Sequence, residues 1–400
     1  MSNRPGLGLL LASLAPFAAV FFAQPAPPSW KLVIGGATKG YLSPCGCTSP
    51  MSGGIRRRAT VVKQIAGPGD VILETGPMTG QLGRQMEIKA ETLAQTFKDM
   101  GVSAVTLGKG DAGLGPGVLE AISRLSGAPL IDGGPEPVSH CLIGSDPGEI
   151  AIAEAISRAK QLADQPGRGL ARVYVTGLAK EAAREIARAV PQLDAIVFAT
   201  TSNPRGQAER IGKTWIVTAA DEGRFVVSLP FTGAGFEAPS VYDLGPDIKD
   251  DPETARYYRQ YLDRLRGENL VEMMPKTSNE AYSGSKACKS CHQAEYAVWA
   301  ESKHAHAWPT LKQDGHDADP DCVPCHTTGI QSTGGFLIEE KTPRLAEVGC
   351  ESCHGSGEAH ITMPEANPFP KAGEQSCAGC HKLQNSPNFR FKEYWEKIKH

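Results

Sequence analysis

Eight of the eleven cysteines and four of the ten histidines fall in four copies of one pentad, Cys-x-x-Cys-His, at Cys288–His292, Cys322–His326, Cys350–His354 and Cys377–His381. Two thiols at this spacing can form thioether bonds to one porphyrin, and the histidine that follows is then placed to ligate its iron. Paired Cys-x-x-Cys elements also build zinc sites, hold iron–sulfur clusters or act as thiol redox pairs. None of those uses requires a histidine after every second cysteine. The expected cofactors are therefore four c-type haems, attached through Cys288 and Cys291, Cys322 and Cys325, Cys350 and Cys353, and Cys377 and Cys380, with His292, His326, His354 and His381 as iron ligands.

The second axial position decides what each iron can do. A second histidine favours electron transfer, whereas an open position admits a small molecule. Nine of the ten histidines lie at or beyond residue 292, which leaves His304, His306, His316, His360 and His400 as the pool of opposing ligands. If residues 293–304 continue as a helix, His304 stands roughly 18 Å along the axis from His292 and must serve another haem. His304 and His306 point different ways and either serve two haems or act as one ligand and one solvated neighbour. His360 follows a glycine-rich turn that can carry it over a neighbouring macrocycle. His316 sits in the acidic loop Asp314-Gly-His-Asp-Ala-Asp319 and is expected to be exposed, and the terminal His400 is expected to be free.

The strings CKSCH, WAESKHAHA, CVPCHTTG, VGCESCHGSGEAH and CAGCH, in this order over residues 281–385, resemble the tetrahaem cytochromes of the c554/c-prime type. The resemblance implies closely stacked haems, His304, His360 and by extension His306 as distal ligands, and one iron that can be five-coordinate.

The elements that hold this cluster differ along the chain. Before residue 245, short apolar runs bounded by Gly, Pro or Asp read as buried strands: 31–34, 71–74, 103–107, 172–176 and 195–199. Helical patterns lie between them at 86–100, 117–125, 149–162 and 180–190. This alternation predicts a layered α/β domain with a largely parallel sheet. Segments 215–218 and 224–228 read as a closing pair of strands, and 256–266 as a charged helix bridging to the haem region. From residue 279 the composition turns to Gly, Pro, Ser, His and Cys, with helices expected only at 293–303 and 391–399. Porphyrin faces can supply the core of so irregular a segment. The expected division is a leader and linker at 1–30, an α/β domain at 31–245, a helical linker at 246–280 and a mostly α or irregular tetrahaem domain at 281–400.

The α/β part resembles the metallophosphoesterase domain of 5′-nucleotidases, including the periplasmic UshA type. The resemblance lies in its layout: Val33-Ile-Gly-Gly-Ala, Leu73-Glu-Thr-Gly76, Ala104-Val-Thr-Leu-Gly108, 193–198 and 214–223. Those enzymes clamp two metal ions with Asp, Asn and His at strand ends. Here the Asp-x-His after the first strand is absent, Gly76 stands where a Gly-Asp pair would be, and Gly108-Lys-Gly-Asp111 replaces the Gly-Asn-His element. Residues 1–280 contain one histidine, His140, so hydrolase activity is not expected.

Cys45-Gly-Cys47, followed by Gly53-Gly-Ile-Arg-Arg-Arg58, occupies that region and resembles a UshA-like subgroup that includes selenocysteine-containing members. Three uses stay open for it. Cys45 and Cys47 form a strained redox pair, or one of them is bonded to Cys141, or both join Cys141 and His140 around a metal.

Arg4 and the apolar run 6–23, followed by a proline-rich stretch, read as an export signal or an N-terminal membrane anchor. Haem attachment outside the cytoplasm agrees with it, so a periplasmic or extracytoplasmic location is expected. A net charge of −3 and no basic tract give no basis for nucleic-acid binding. The leading expectation is electron transfer between a redox donor and a redox acceptor, with the α/β domain as docking or thiol-redox module. The alternative is an oxidoreductase that reduces a small substrate at an open haem or at Cys45/Cys47.

Overall fold

The computed structural model describes residues 29–44, 51–167, 169–198, 208–218, 221–382, 385–386 and 388–400. Cys45, Cys47 and the apolar run 6–23 lie outside the described residues. No helix among the described residues is long and apolar enough to cross a membrane.

The first two-thirds of the chain builds two sheets. Its strands are β1 (Trp30–Gly36), β2 (Val71–Thr75), β3 (Ala104–Thr106), β4 (Leu130–Ile131), β5 (Glu136–Val138), β6 (Cys141–Asp146), β7 (Ala171–Thr176), β8 (Ala195–Phe198), β9 (Ala208–Ile211), β10 (Thr214–Thr218), β11 (Phe225–Thr232), β12 (Gly235–Phe236) and β13 (Ser240–Asp243). One sheet runs β12-β11-β1-β2-β3-β4 with β13 beside β11, and the other runs β5-β6-β7-β8-β10-β9. The helices are α1 (Ile55–Ile65), α2 (Arg84–Met100), α3 (Pro116–Ser126), α4 (Ile152–Asp164), α5 (Lys180–Ala189) and α6 (Pro252–Gly267).

Side-chain alternation along the strands sets the layers. Val33, Ile72, Val105 and Val226 face α1, α2, α3 and α6 in one core. Leu32, Ile34, Leu73, Ile143, Val173, Val175, Val197 and Val227 meet in a second core between the sheets. Leu142, Tyr174, Ile196 and Ile216 turn the other way onto α4 and α5. The result is a four-layer helix–sheet–sheet–helix sandwich. Both faces of each sheet are covered, so the strands read as continuous apolar runs.

The expected layered α/β domain is present, and its parallel strands are divided between two sheets with antiparallel strands at their edges. The 215–218 and 224–228 segments are not a pair: β10 joins β8 and β9, whereas β11 runs antiparallel to β1 in the other sheet. The charged helix α6 carries Tyr258, Tyr261, Leu262 and Leu265 into the same core as α1 and α2.

The C-terminal region is held by short elements: β14 (Ser278–Ala281), β15 (Ser332–Gly334), α7 (Gln293–Ala300), α8 (Ala307–Gln313), α9 (Cys350–His354), α10 (Glu358–Thr362), α11 (Glu374–Ala378) and α12 (Phe391–Trp395). A small core of Val271, Trp308, Leu311, Val323, Ile330, Phe336 and Leu345 sits beneath them.

Candidate haem-binding centre

Each motif is a single turn closed by backbone hydrogen bonds. Cys350–His354 is helix α9 itself, and Cys377 lies in α11. Val323–Cys325 is a 3₁₀ turn, and a similar turn, Ser285–Ala287, leads into Cys288. All eight motif cysteines are free thiols, so none is consumed in a disulfide.

Three motif histidines face a second imidazole. The ring centres are 6.2 Å apart for His292 and His360, 6.3 Å for His304 and His381, and 6.0 Å for His354 and His400. A metal–imidazole bond is about 2.0 Å and the ring centre lies about 1.2 Å behind the nitrogen, so two imidazoles on opposite sides of one iron have centres about 6.4 Å apart. These gaps therefore fit an iron between each pair. His304 lies beyond the end of α7 and opposes the fourth motif, not the first.

Two expectations change. His400 is not free but stands opposite His354. His306 is exposed, and among the described residues no motif imidazole stacks against it. The histidine opposite His354 thus comes from the end of the chain, with no local spacing to announce it. For His326, no opposing imidazole is found among the described residues.

The other ring nitrogen is held as metal-ligating histidines require. The Nδ1 of His326 lies 2.8 Å from the carbonyl of Ala307, that of His354 2.6 Å from Pro370, that of His360 2.8 Å from Asn367, and that of His400 3.1 Å from Ile398. A carbonyl can only accept, so Nδ1 carries the proton and the Nε2 lone pair is left for a metal. His381 Nδ1 lies 3.0 Å from the Ser386 hydroxyl, and its ring stacks on Phe389 at 4.6 Å. Phe369 stacks on both His354 and His360 at 5.3 Å. Burial and the nearby His381 push the His304 imidazole down, toward the neutral form that can ligate.

The motifs also touch one another. The Cys288 and Cys350 side chains lie close enough to interact, as do Cys325 and Cys380. Cys353 and Cys377 are near neighbours, and Ser376 Oγ donates to the Cys353 carbonyl at 2.8 Å. The contacts therefore run in the order first, third, fourth, second.

The second motif lies against the α/β body. Lys89, buried on α2, pairs with Asp321, and Gln85 Nε2 donates to Asp319 Oδ1 at 2.9 Å. Arg266 reaches Asp317 at 2.8 Å. Tyr258 packs on His316, with ring centres 5.9 Å apart, and His316 Nδ1 lies 3.8 Å from Cys322 Sγ. His316, expected to be exposed, is part of this junction. With Asp319 and Cys322 it forms the one trio of possible metal ligands among the described residues. Asp319 is already engaged by Gln85 and by the Asp321 amide, and Cys322 belongs to its motif.

At the strand ends of the α/β body an ion pair is buried. Arg58 Nη1 lies 2.6 Å from Glu74 Oε2, with both side chains 1% exposed, and also donates to Thr38 Oγ1 at 3.1 Å. Burial raises the Glu74 carboxyl, and Arg58 opposes that rise. Asp111 accepts from the amides of Met78, Thr79 and Gly108, and burial pushes it up to about 6. Its oxygens are thus occupied by the chain itself.

Cys141 is fully buried between the sheets, its thiol pushed up by burial. The adjacent His140 stacks on Trp30 at 5.4 Å, at the start of β1. Pro44 lies at the other end, against Gly54 at the head of α1. The seven residues of β1 span roughly 20 Å. Cys45 and Cys47, the partners expected for Cys141 or His140, lie outside the described residues.

Residues 287–355 match the family model of cytochrome c554 and c-prime. The chain is 38% identical over 141 residues to cytochrome c-554 of Nitrosomonas europaea, an alignment covering 26% of this chain and 60% of that protein. It is 37% identical over 86 residues to the C-type polyheme cytochrome OmcC of Geobacter sulfurreducens, covering 18% of this chain and 11% of that protein. The chain thus spans less than two-thirds of the length of either relative. Both are c-type cytochromes, and the likeness supports haem c as the cofactor. Among solved structures, the chain is similar to a 5′-nucleotidase precursor from Thermus thermophilus, with a TM-score of 0.47 and 15% identity over 65% of this chain and 63% of that one. It is also similar to the NAD nucleotidase of Haemophilus influenzae, with a TM-score of 0.47 and 13% identity over 71% and 69%.

Proposed function

We propose that this chain is an exported electron-transfer protein that carries four haem c groups, one on each Cys-x-x-Cys-His motif. Haem c, when bound, supplies one-electron exchange between ferric and ferrous iron. The chain's own residues attach it through the eight motif thiols and ligate it through His292, His326, His354 and His381. His360, His400 and His304 supply the opposing ligands at the first, third and fourth motifs. The backbone carbonyls of Asn367, Pro370 and Ile398 orient His360, His354 and His400 by accepting a hydrogen bond from Nδ1–H. The four motifs lie close together in the order first, third, fourth, second, and the series ends at the second motif. There the α/β body docks through Lys89, Gln85, Tyr258 and Arg266.

The carrying observation is the set of three opposed histidine pairs at 6.0–6.3 Å. The α/β body serves as a docking module: Arg58 and Glu74 neutralise each other at its strand ends, and the Asp111 oxygens are taken by backbone amides. The partners are a redox donor and a redox acceptor outside the cytoplasm. Electron paramagnetic resonance of the oxidised protein tests the assignment. Three low-spin haems and one high-spin haem support it, and a uniformly low-spin or uniformly high-spin spectrum contradicts it.

A second reading is favoured by His326, which has no opposing imidazole among the described residues. In that reading the second motif binds a small molecule on its open side and the protein is an oxidoreductase. Carbon monoxide binding to one reduced haem supports the open side. Multiple turnover with a small electron acceptor, at a rate that exceeds simple reoxidation, would make the chain an enzyme.

A further inference from the structure

Glu351 stands between the two cysteines of the third motif, yet its carboxylate serves the first. It is 2% exposed. One oxygen accepts from the amides of Ser283 at 3.2 Å and Gly357 at 2.7 Å, and the other accepts from Gly284 at 2.7 Å. Ser283 and Gly284 lead directly into the 3₁₀ turn that delivers Cys288 and His292. Gly357 is the N-cap of α10, the helix that carries His360. One buried side chain therefore ties together the two backbone segments that set the His292–His360 gap.

Its charge has no cationic partner among the described residues; backbone amides alone compensate it. It lies close enough to Cys288, an attachment residue of the first motif, to interact with it electrostatically. A buried negative charge favours ferric over ferrous iron, because the ferric centre carries one more positive charge to stabilise.

We infer that Glu351 is a positioning residue for the haem of the first motif, fixing the His292–His360 pair and holding down the reduction potential where the first and third motifs meet. The inference rests on the haem reading above and assigns a role across motifs that the pentad does not encode. Outer-shell groups of this kind commonly decide ligand geometry and redox tuning.

The test uses the full-length holoprotein with Glu351→Gln, which keeps the shape, removes the charge and turns an amide donor toward a backbone amide. Haem content is measured first. A wild type without covalent haem overturns the haem reading itself, independently of Glu351. With four haems retained, at least one redox transition in E351Q is expected to move to higher potential, and the low-spin signal to weaken by up to one haem. A redox titration and spin state identical to wild type would overturn the inference. Glu351→Asp keeps the charge but withdraws the oxygens by one methylene. It is expected to weaken one low-spin signal through the displaced His292–His360 pair. If E351Q does not accumulate, E351D decides the positioning role, and an unaltered low-spin spectrum in E351D refutes it.

Discussion

Replacing Arg58 by Met tests how the α/β body has filled its strand ends. The change leaves Glu74, whose side chain is 1% exposed, without the guanidinium that lies 2.6 Å away. Breaking a buried ion pair by removing one partner costs about 3–5 kcal/mol, a large part of the roughly 5–15 kcal/mol that holds a domain together. For a unit of this size each kcal/mol corresponds to about 2–4 °C, so the midpoint should fall by roughly 6–20 °C. Removing Glu74 as well, in R58M/E74M, should restore most of the loss, because a well-packed apolar pair often matches a buried ionic one.

The deficit should also depend on pH. Burial already raises the Glu74 carboxyl, and without Arg58 nothing opposes that rise. A group raised in the folded state stabilises below its unfolded value and loses that contribution as pH rises through the folded value. The R58M deficit should therefore be largest near neutrality and shrink as pH falls toward 4. Thermal unfolding followed by far-ultraviolet circular dichroism, with the Soret band checked for intact haem, measures both effects. Equal midpoints for R58M and wild type, or a double variant as unstable as the single one, would refute the reasoning.

The remaining expectations concern the ligands and one acid. Removing the His400 side chain (His400→Ala) should convert one low-spin haem to high spin, read by electron paramagnetic resonance, while His306→Ala should leave the spectrum unchanged. Replacing Cys350 and Cys353 together by Ala should remove one haem in four, measured by pyridine haemochrome per chain. Asp111 rises from its ordinary 3.8 to about 6, so it stabilises the fold below pH 4 and loses that contribution as pH passes 6. The wild type should lose about 3 kcal/mol relative to Asp111→Asn across that interval. Parallel pH profiles for the two proteins would show that Asp111 does not titrate there.

The strands β1, β2, β7 and β8 were legible because their apolar runs are bounded by Gly, Pro or Asp. Their assignment to two sheets was not. Alternating burial looks the same whether the covering layer is a helix or a second sheet, and β6 with its Gly-Ser-Asp end carries a weak apolar signal. Helix α1 was hidden inside Gly-Gly-Ile-Arg-Arg-Arg, where Arg58 turns inward to meet Glu74 although its composition reads as surface. At the candidate site the proximal histidines are local to their motifs and visible as strings. His304 and His360 sit in recognisable neighbourhoods, whereas His400 reaches His354 only through the tertiary path that brings the chain terminus back. The Glu351 clamp was equally invisible, because its three partners are backbone amides, which no residue type announces.

The most direct test of the account is the number of covalently bound haems per chain, from the intact mass of the purified protein together with its pyridine haemochrome. Four haems, all retained after acid–acetone extraction, are expected. Fewer than four on the purified protein, or zinc bound in place of haem at any motif, would contradict the claim that every Cys-x-x-Cys-His carries an electron-transferring iron.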